Sequence, residues 1–346
     1  MATSSTSGYN ICGFHEYSKI LHYATYQPSD VGSFSVNNEG DFDNCDKAEF
    51  PRLKDLKSPL KINLNEGFDP KIIDIKTPRF PHAEKPLRWI RESKNGYQTL
   101  ADVDVITQKG VLKKIGHTIS NRYKNSWTIE TCKYKGKLYL RFPTEDKWYR
   151  ETEWGMRNCY WGVKFEEHVI EPAPHAKASF KMLKGKIGNK KMLISAEVDA
   201  IKTDGTLVEI KTCFEDKLTD QKMCFAWLQS YLGNIDVLYY GWKDKHGVVS
   251  RKPQEFKMES IPGSKLLKKP VANAMFGFIG DFIDWLYNAL PDEDEIWSLE
   301  YTGGGQISFK FHSEKFLPNW YLQFIDSASE DELAKKVEAL DLKCAH

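Results

Sequence analysis

The sequence lacks the features that identify several large classes of protein. No apolar run approaches the about 18 residues of a membrane span, so we expect no membrane-spanning helix. The first residues, MATSSTSGYNICGF, contain no basic region and no long apolar run, so a secretory signal is not expected. The 7 cysteines are scattered without a Cys-x-x-Cys pair, which favours free thiols in a reducing compartment. The 9 histidines form neither an HExxH motif nor a Cys/His cluster, which argues against a zinc site.

Charge is nearly balanced, because the net charge is only +1 at neutral pH. The chain therefore lacks the overall basic character of a passive nucleic-acid coat protein, although a cleft can still bind a polyanion through local charge. The 346 residues, 41% of them hydrophobic, are enough for a large core. Since no long Pro/Gly/Ser linker interrupts the chain, we predict one mixed α/β domain with sizeable sheets.

Both ends of the chain differ in pattern from the interior. Residues 1–10 are rich in Ser and Thr and are predicted to form a disordered tail. Near the other end, SEDELAKKVEAL has the spacing of a helix-capping box, which predicts a C-terminal helix and tail over residues 328–346.

Periodicity and turn residues predict the main elements between these ends. They are a helix at 85–93, a strand, turn and second strand at 103–117, a hairpin at 126–142, a helix within 144–171, a helix at 220–232, a buried strand at 235–242 and a helix at 272–290.

Charged residues are concentrated in one short hairpin, SAEVDAIKTDGTLVEIKT, residues 195–212. A two-residue loop would place Asp199 and Glu209 on opposite faces, because strand side chains alternate. A three-residue loop over 203–205, with Gly205 in the left-handed conformation, instead places Asp199 opposite Glu209 and Glu197 opposite Lys211. We predict this register, which gathers the three carboxylates and the lysine on one face.

Such a carboxylate cluster repels itself in a cleft of low dielectric constant unless a cation binds there. Mg²⁺ prefers oxygen ligands and suits one or two carboxylates together with a phosphate. The pattern thus favours a metal-dependent phosphodiester site, and the helix that follows brings Gln229 near it. The alternative is a solvated hairpin face with cross-strand ion pairs, together with an ordinary surface glutamine.

Four segments in order resemble the motifs of the DXO family of decapping exoribonucleases, and a fifth, the last one below, resembles the C-terminal segment of that family. They are YWGVKFEEHV at 160–169, SAEVDAI at 195–201, LVEIKT at 207–212, WLQSYLG at 227–233 and FLPNWYLQFI at 316–325. The resemblance covers roughly residues 60–325, within a catalytic domain at 11–327. It implies a single α/β domain with two mixed β-sheets flanked by helices, and a core similar to that of the PD-(D/E)xK nucleases.

The resemblance also implies roles for particular residues. Metal ligands would be Glu166, Glu197, Asp199, Glu209 and the backbone carbonyl of Ile210, which together bind one or two Mg²⁺ or Mn²⁺ ions. Glu197, acting partly through water, belongs with Lys211 and Gln229 to the catalytic set, and Glu166 is preferred to its neighbour Glu167. Lys109, Lys211 and Gln229 would bind the substrate near the scissile phosphate.

One position departs from the family pattern. In ITQKGVLKKI, residues 106–115, Lys109 stands where the family has an arginine before a glycine. Lysine keeps the charge but loses the planar fork that grips a phosphate through two parallel hydrogen bonds. We therefore expect weaker positioning of a 5′-end phosphate from the other side of the cleft.

The resemblance implies a metal-dependent hydrolase acting on RNA 5′ ends that are capped, triphosphorylated or monophosphorylated. The activities would be removal of incomplete or NAD-type caps, pyrophosphate release and 5′-to-3′ digestion. The main alternative is a weakly active or inactive member that binds RNA or protein, and a third is a DNA nuclease of the wider fold group. The protein is expected to be a monomer without membrane contact, in the nucleus or the cytoplasm or both, with any protein partner unknown.

A basic run offers a further route to RNA binding. Residues 180–191 contain 5 lysines around a Gly-Asn turn, which could guide the RNA backbone into a cleft. The alternative, which the pattern favours, is a solvated hairpin loop.

Overall fold

A computed structural model describes most of the chain. The described residues are 8–11, 16–18, 23–37, 41–43, 45–57, 60–69, 84–120, 125–143, 152–215 and 218–327. The predicted C-terminal helix in 328–346 and residues 1–7 of the predicted N-terminal tail lie outside them. Tyr9 and Asn10, which were also predicted to be disordered, instead form a strand. The buried Tyr9 ring anchors this strand, because its hydroxyl donates to Asp281 at 2.6 Å.

The larger of two mixed sheets has ten strands in the described part of the chain. In spatial order they are β1 Tyr9–Asn10, β18 Gln306–Lys315, β17 Glu293–Tyr301, β7 Trp127–Tyr134, β8 Lys137–Arg141, β6 Val105–Gln108, β11 Lys190–Glu197, β10 Ala178–Ile187, β2 Ser29–Val36 and β3 Phe42–Asp43. Strand β6 lies parallel to both of its neighbours, whereas the other pairs are antiparallel.

The predicted charged hairpin, 195–212, begins in β11 of the larger sheet, and its remaining strands lie in the smaller sheet. The path of this sheet runs through β5 Ile62–Asn63, β15 Val248–Val249, β14 Val237–Lys243, β13 Leu207–Phe214, β12 Ala200–Ile201, β4 Arg52–Leu53 and β9 Ile170–Glu171, and β16 Gln254–Lys257 pairs with β14. Strands β13 and β14 are parallel; β14 is fully buried, as expected for a strand covered on both faces, and β13 is buried over its first half. Two mixed sheets with helices confirm the predicted fold class.

Seven α-helices have both ends within the described ranges. They are α1 Lys85–Glu92, α2 Gly96–Ala101, α3 Lys109–Ser120, α4 Glu153–Val169, α5 Asp220–Leu232, α6 Lys269–Ala289 and α7 Asn319–Ser327. The largest hydrophobic cluster joins α3, α5 and α6 to side chains from both sheets. At Gly116 of α3, a Cβ atom would lie 2.7 Å from Ile279 and 2.9 Å from Leu228, so glycine permits the close approach of the three helices.

Helix α3 corrects one prediction. Residues 103–117 were predicted as a strand, a turn at Lys109 and Gly110, and a second strand, but the helix begins at Lys109 directly after β6. The apolar residues that follow repeat with helical spacing, and all are buried: Val111, Leu112, Ile115 and Ile119. Burial of this apolar face outweighs the turn preference of a single glycine.

The other predicted elements are confirmed within the described residues: α1, the β7–β8 hairpin, α4, α5, β14 and α6. A two-residue turn, Lys135 and Gly136, closes the β7–β8 hairpin, and both residues have positive φ. The described cysteines are unpaired, in agreement with the expectation of free thiols. Within the described ranges, no helix has both the length and the apolar character needed to cross a membrane.

Candidate active site

The charged hairpin adopts the predicted three-residue loop. Ile201 pairs with Leu207 and Ala200 with Val208, and the amide of Lys202 donates to the carbonyl of Thr206 at 2.9 Å. Gly205 has a φ of +90°, the left-handed conformation that the prediction required. The paired strand begins at Ala200, and the same register extended by one residue places Asp199 opposite Glu209, in agreement with the prediction.

The pairing predicted for Glu197 is wrong. Glu197 pairs with Phe180 in the larger sheet, whereas Lys211 lies beside Tyr240 in the smaller one. The chain leaves the larger sheet after Glu197 and enters the smaller sheet at Ala200. The two ends of the predicted hairpin therefore belong to different sheets, and the junction between them forms the site.

Glu209 is the centre of the charged cluster and is fully buried. One carboxylate oxygen, Oε2, accepts from Lys109 Nζ at 2.8 Å, and the other, Oε1, accepts from Lys211 Nζ and from Gln229 Nε2. Lys109 Nζ also donates to the backbone carbonyl of Glu197 at 2.5 Å. Lys109 thus lies inside the cluster and links both sheets, rather than facing it from across a cleft as predicted.

The ammonium group of Lys211 lies among three of the predicted metal ligands. Its Nζ is 2.5 Å from Glu209 Oε1, 3.0 Å from the carbonyl oxygen of Ile210 and 3.8 Å from Asp199 Oδ2. Asp199 Oδ2 is itself held by the backbone amide of Ile210, which donates to it at 2.8 Å. These three predicted ligand groups therefore converge on one cation, which in this structure is the lysine ammonium.

Helix α4 brings Glu166 to the same place. The helix begins where the Thr152 hydroxyl accepts from the amide of Gly155, and Glu166 lies near its C-terminal end. Burial and the nearby charge of Asp199 raise the pKa of Glu166 to about 8. The neighbouring Glu167 is exposed and pairs with Lys164 at 3.1 Å, so the structure places Glu166 in the site and Glu167 outside it.

The carboxyl groups respond differently to the same surroundings. Burial raises the pKa of Asp199 to about 6, and the charge of Glu209 adds to this effect. Burial would also raise the pKa of Glu209, but the ammonium groups of Lys109 and Lys211 outweigh it and lower that pKa to about 2. For Lys211, the attraction of Glu209 and Asp199 outweighs burial and raises the pKa above its ordinary value. Glu209 is therefore the firmly ionised member of the cluster.

The donor atoms fit a hard divalent cation, because carboxylate and carbonyl oxygens are the ligands that Mg²⁺ and Mn²⁺ prefer. In the part of the chain that the structure describes, no three acidic, cysteine or histidine side chains are close enough to form a metal site on their own. The ligand atoms are therefore of the type that binds Mg²⁺ or Mn²⁺, and in this structure the ammonium groups of Lys109 and Lys211 compensate the negative charge of Glu209.

Lys113 also belongs to this cluster, although no sequence pattern predicted it as a site residue. Its Nζ donates to Gln229 Oε1 at 2.8 Å and lies 4.1 Å from the ring centre of Phe225. Burial, followed by the charge of Lys211, lowers the pKa of Lys113 to about 7. A helical interpretation of 109–120 would have found it, because Lys109 and Lys113 are four residues apart and share one helix face.

Comparisons with known proteins agree with the resemblance found in the sequence. The sequence model of the RAI1-like PD-(D/E)XK nuclease family matches residues 26–322. The decapping nuclease RAI1 of Aspergillus fumigatus is 24% identical over 339 residues, which cover 81% of this chain and 91% of that protein. The bovine (Bos taurus) decapping and exoribonuclease protein is 22% identical over 352 residues, covering 86% and 85%.

Solved structures show the same fold. Scheffersomyces stipitis Rai1, solved with (3′-NADP)⁺ and calcium, superposes with a TM-score of 0.74 at 18% identity and covers 92% of this chain and 100% of its own. Candida albicans Rai1, solved with pU5 and Mn²⁺, superposes with a TM-score of 0.66 at 16% identity and covers 88% and 94%. The predicted resemblance and the predicted nuclease-like core are confirmed.

Proposed function

Because this chain belongs to the RAI1-like PD-(D/E)XK nuclease family, we propose that it is a metal-dependent hydrolase of RNA 5′ ends. The relatives' names support decapping and exoribonuclease activity, and the Rai1 complex with (3′-NADP)⁺ supports NAD-type caps as substrates. Removal of incomplete caps, a 5′-to-3′ direction of digestion and pyrophosphate release are further parts of the proposal. The observation that carries the proposal is the convergence of Asp199, Glu209 and the Ile210 carbonyl on one cationic position.

We propose that Glu166, Asp199, Glu209 and the Ile210 carbonyl hold one or two Mg²⁺ or Mn²⁺ ions, with Glu197 contributing through water. The bound metal would supply a nucleophilic water at neutral pH and neutralise charge on the phosphate. Calcium and manganese accompany the two Rai1 structures, which supports a divalent ion here without distinguishing Mg²⁺ from Mn²⁺.

The lysines and the glutamine position the reacting groups in this proposal. Lys211, which donates to Glu209 and to the Ile210 carbonyl in this structure, would contact the scissile phosphate instead if those two oxygens served as metal ligands. Gln229, whose Nε2 already points at Glu209, donates to the attacking water or to the phosphate. Lys109 keeps Glu209 ionised and ties it to the backbone of the larger sheet.

The proposal is tested with a panel of substrates in Mg²⁺, Mn²⁺ or EDTA. The panel contains 5′-monophosphate, triphosphate, capped and NAD-capped RNA, together with single-stranded DNA. We expect hydrolysis of at least one RNA that EDTA abolishes. Asp199→Ala should lower kcat/KM at least about 100-fold, because a metal supplies several kcal/mol of transition-state stabilisation and 1.36 kcal/mol is a factor of ten.

A matched pair of carboxylates provides the control. Glu166→Ala should lose activity, whereas Glu167→Ala, one residue further along α4 and exposed to solvent, should keep it. Activity close to the wild type in Asp199→Ala would overturn the assignment of the site, and preferential cleavage of DNA would favour the wider group of nucleases.

One observation favours the second candidate, a weakly active or inactive member that binds RNA or protein. Lys109 is held by Glu209 and the Glu197 carbonyl, so its single ammonium group is not free to grip a 5′ phosphate. Absence of turnover on every RNA of the panel, combined with RNA binding, would support this candidate.

A further inference from the structure

A chain of three side chains connects α3 to the centre of the site. Lys113 Nζ donates to Gln229 Oε1 at 2.8 Å, and Gln229 Nε2 donates to Glu209 Oε1. We propose that Lys113 is a positioning residue that sets the orientation of the Gln229 side-chain amide. The effect on catalysis rests on the proposed function, whereas the orientation itself does not.

The hydrogen-bonding groups of Lys113 and Glu209 permit only one orientation of the Gln229 side-chain amide. In its ammonium form, which predominates below about pH 7, Lys113 can only donate hydrogen bonds, and an ionised carboxylate can only accept them. With Oε1 toward Lys113 and Nε2 toward Glu209, both contacts of Gln229 are satisfied. Rotation of the amide by 180° would turn its oxygen toward the carboxylate and its NH₂ group toward the ammonium, so both contacts would become repulsive.

The surroundings of Lys113 hold its ammonium group in place. Its Nζ lies 4.1 Å from the centre of the Phe225 ring, a cation–π contact. Phe225 and Gln229 are four residues apart on α5, so they present one face of that helix to α3. Lys113 therefore contacts two consecutive turns of α5, and this double contact keeps its long side chain from leaving the amide.

The orientation matters for the proposed reaction. With Lys113 present, the Gln229 NH₂ group points to the side of Glu209 on which Lys211 also lies. Without Lys113, the amide can present its oxygen there instead, beside a carboxylate and an anionic phosphate. Loss of one oriented donor that acts in the transition state lowers kcat about 100- to 1,000-fold in well-studied hydrolases. Since the amide would still populate the correct orientation part of the time, we expect about a 10- to 100-fold fall in kcat.

The kinetic test is a double-mutant cycle on the RNA substrate that the wild type hydrolyses best, in Mn²⁺. Lys113→Met should lower kcat by this amount with KM changed less than about threefold. Lys113→Arg should keep most of the activity, because a guanidinium also donates to Oε1 and stacks on Phe225. In a Gln229→Ala background, Lys113→Met should cause almost no further fall in kcat, since Lys113 is proposed to act only through Gln229.

The same cycle can overturn the proposal. If Lys113→Met lowers activity equally with and without Gln229, Lys113 acts on the substrate directly and the proposal is wrong. It is also wrong if Lys113→Met leaves kcat unchanged. Lys133→Met is the matched control. Lys133 Nζ also donates to an oxygen, the Tyr287 carbonyl at 3.0 Å, and also contacts an aromatic ring. Lys133 lies on β7, outside the site. This control should leave kcat unchanged.

A second readout does not depend on activity. The side-chain amide signal of Gln229, identified in NMR spectra of the metal-free protein by its loss in Gln229→Ala, should shift in Lys113→Met. It should stay in place in Lys133→Met. An unshifted signal in Lys113→Met overturns the proposal even if the protein is active. If the wild type hydrolyses no RNA, the proposed function fails, and the shift of this signal alone then supports or overturns the role of Lys113.

Discussion

Two groups of lysines in this protein show how differently the same side chain acts at the surface and in the interior. The surface group lies on the β10–β11 hairpin and comprises Lys181, Lys184, Lys186, Lys190 and Lys191. The interior group lies around Glu209 and comprises Lys109, Lys113 and Lys211. In the sequence the surface group is the denser one, yet the interior group forms the site.

The surface lysines meet acids that remain in contact with water. Lys184 and Lys191 both contact Asp102, at 3.0 and 2.5 Å, and Lys181 contacts Asp30 at 2.6 Å. Two of these lysines and both acids are at least one third exposed, so water and salt weaken the attraction. Much of the positive charge that could guide RNA is also neutralised by the two aspartates.

The interior lysines lie where less water screens their charge than at the surface. Glu209 is fully buried, and its two ammonium partners are 9% and 28% exposed. Attraction between charges is several times stronger where water is excluded, but removal of one partner leaves a buried charge uncompensated. Burial, rather than the number of charges, therefore decides which group affects stability and chemistry.

The largest effect is expected when the interior group loses its acid. Glu209→Ala leaves the ammonium groups of Lys109 and Lys211 without their main partner, which should lower the free energy of unfolding by about 3–5 kcal/mol. Urea denaturation at neutral pH in EDTA measures this change. In the exposed control Glu167→Ala, which breaks the pair with Lys164, the change should be about 0–1 kcal/mol. Equal effects in the two variants would contradict the comparison.

A change of pH should have an intermediate effect on the free energy of unfolding, measured in EDTA. Because the pKa of Glu166 in the folded protein, about 8, is above its ordinary value of 4.5, the folded state binds more protons between these values. Its contribution to stability should therefore decline as the pH rises from about 5 to 8. For Glu209 the sign is opposite, since a folded-state pKa of about 2 gives stability that is present above about 4.5 and lost as the pH falls toward 2.

Urea denaturation across this pH range separates the two contributions. Glu166→Gln should reduce the decline between about pH 6 and 8, above the range in which Asp199 also titrates, and leave the loss of stability at acid pH in place. An unchanged slope in Glu166→Gln would show that the raised pKa of Glu166 does not cause this decline.

The smallest effect is expected at the surface. Lys181→Met removes the contact with Asp30 and should change the free energy of unfolding by about 0–1 kcal/mol, and less at about 1 M salt. If the hairpin does not guide RNA, kcat/KM should stay within about twofold of the wild type. Lys186→Met, on the same strand at an exposed position, is the control for charge alone. A tenfold rise in KM in either variant would show that the hairpin binds RNA.

Local features of the site were the most predictable from the sequence. The three-residue loop depends on the conformational freedom of one glycine and on the spacing of charges along two short strands. Those properties lie within 18 neighbouring residues, 195–212, so no distant contact was needed to predict Asp199 opposite Glu209. The helix that follows the hairpin also brought Gln229 near it, whereas Glu166 came only from the family motifs, because no local pattern places it beside that hairpin.

Two errors have the same physical origin, namely packing between distant segments. Lys109 and Gly110 resemble a turn, but the segment is helical because the apolar face of α3 is buried among α5, α6 and the sheets. Because that segment was not predicted as a helix, Lys113 was not recognised as part of the site. Glu197 was paired with Lys211 because a continuous hairpin is the simplest local interpretation, whereas the chain changes sheet at this point.

The sequence alone determined which charges occur, the hairpin register that opposes two of the carboxylates, and the motifs that identify the family. Tertiary structure decided the environment of those charges: which carboxyl is firmly ionised, which lysine compensates it, and which amide orientation is allowed. The physical reason is that the pKa of a buried group and the strength of its ion pairs depend on the exclusion of water. Water is excluded here by two sheets and three helices that meet only in the folded protein.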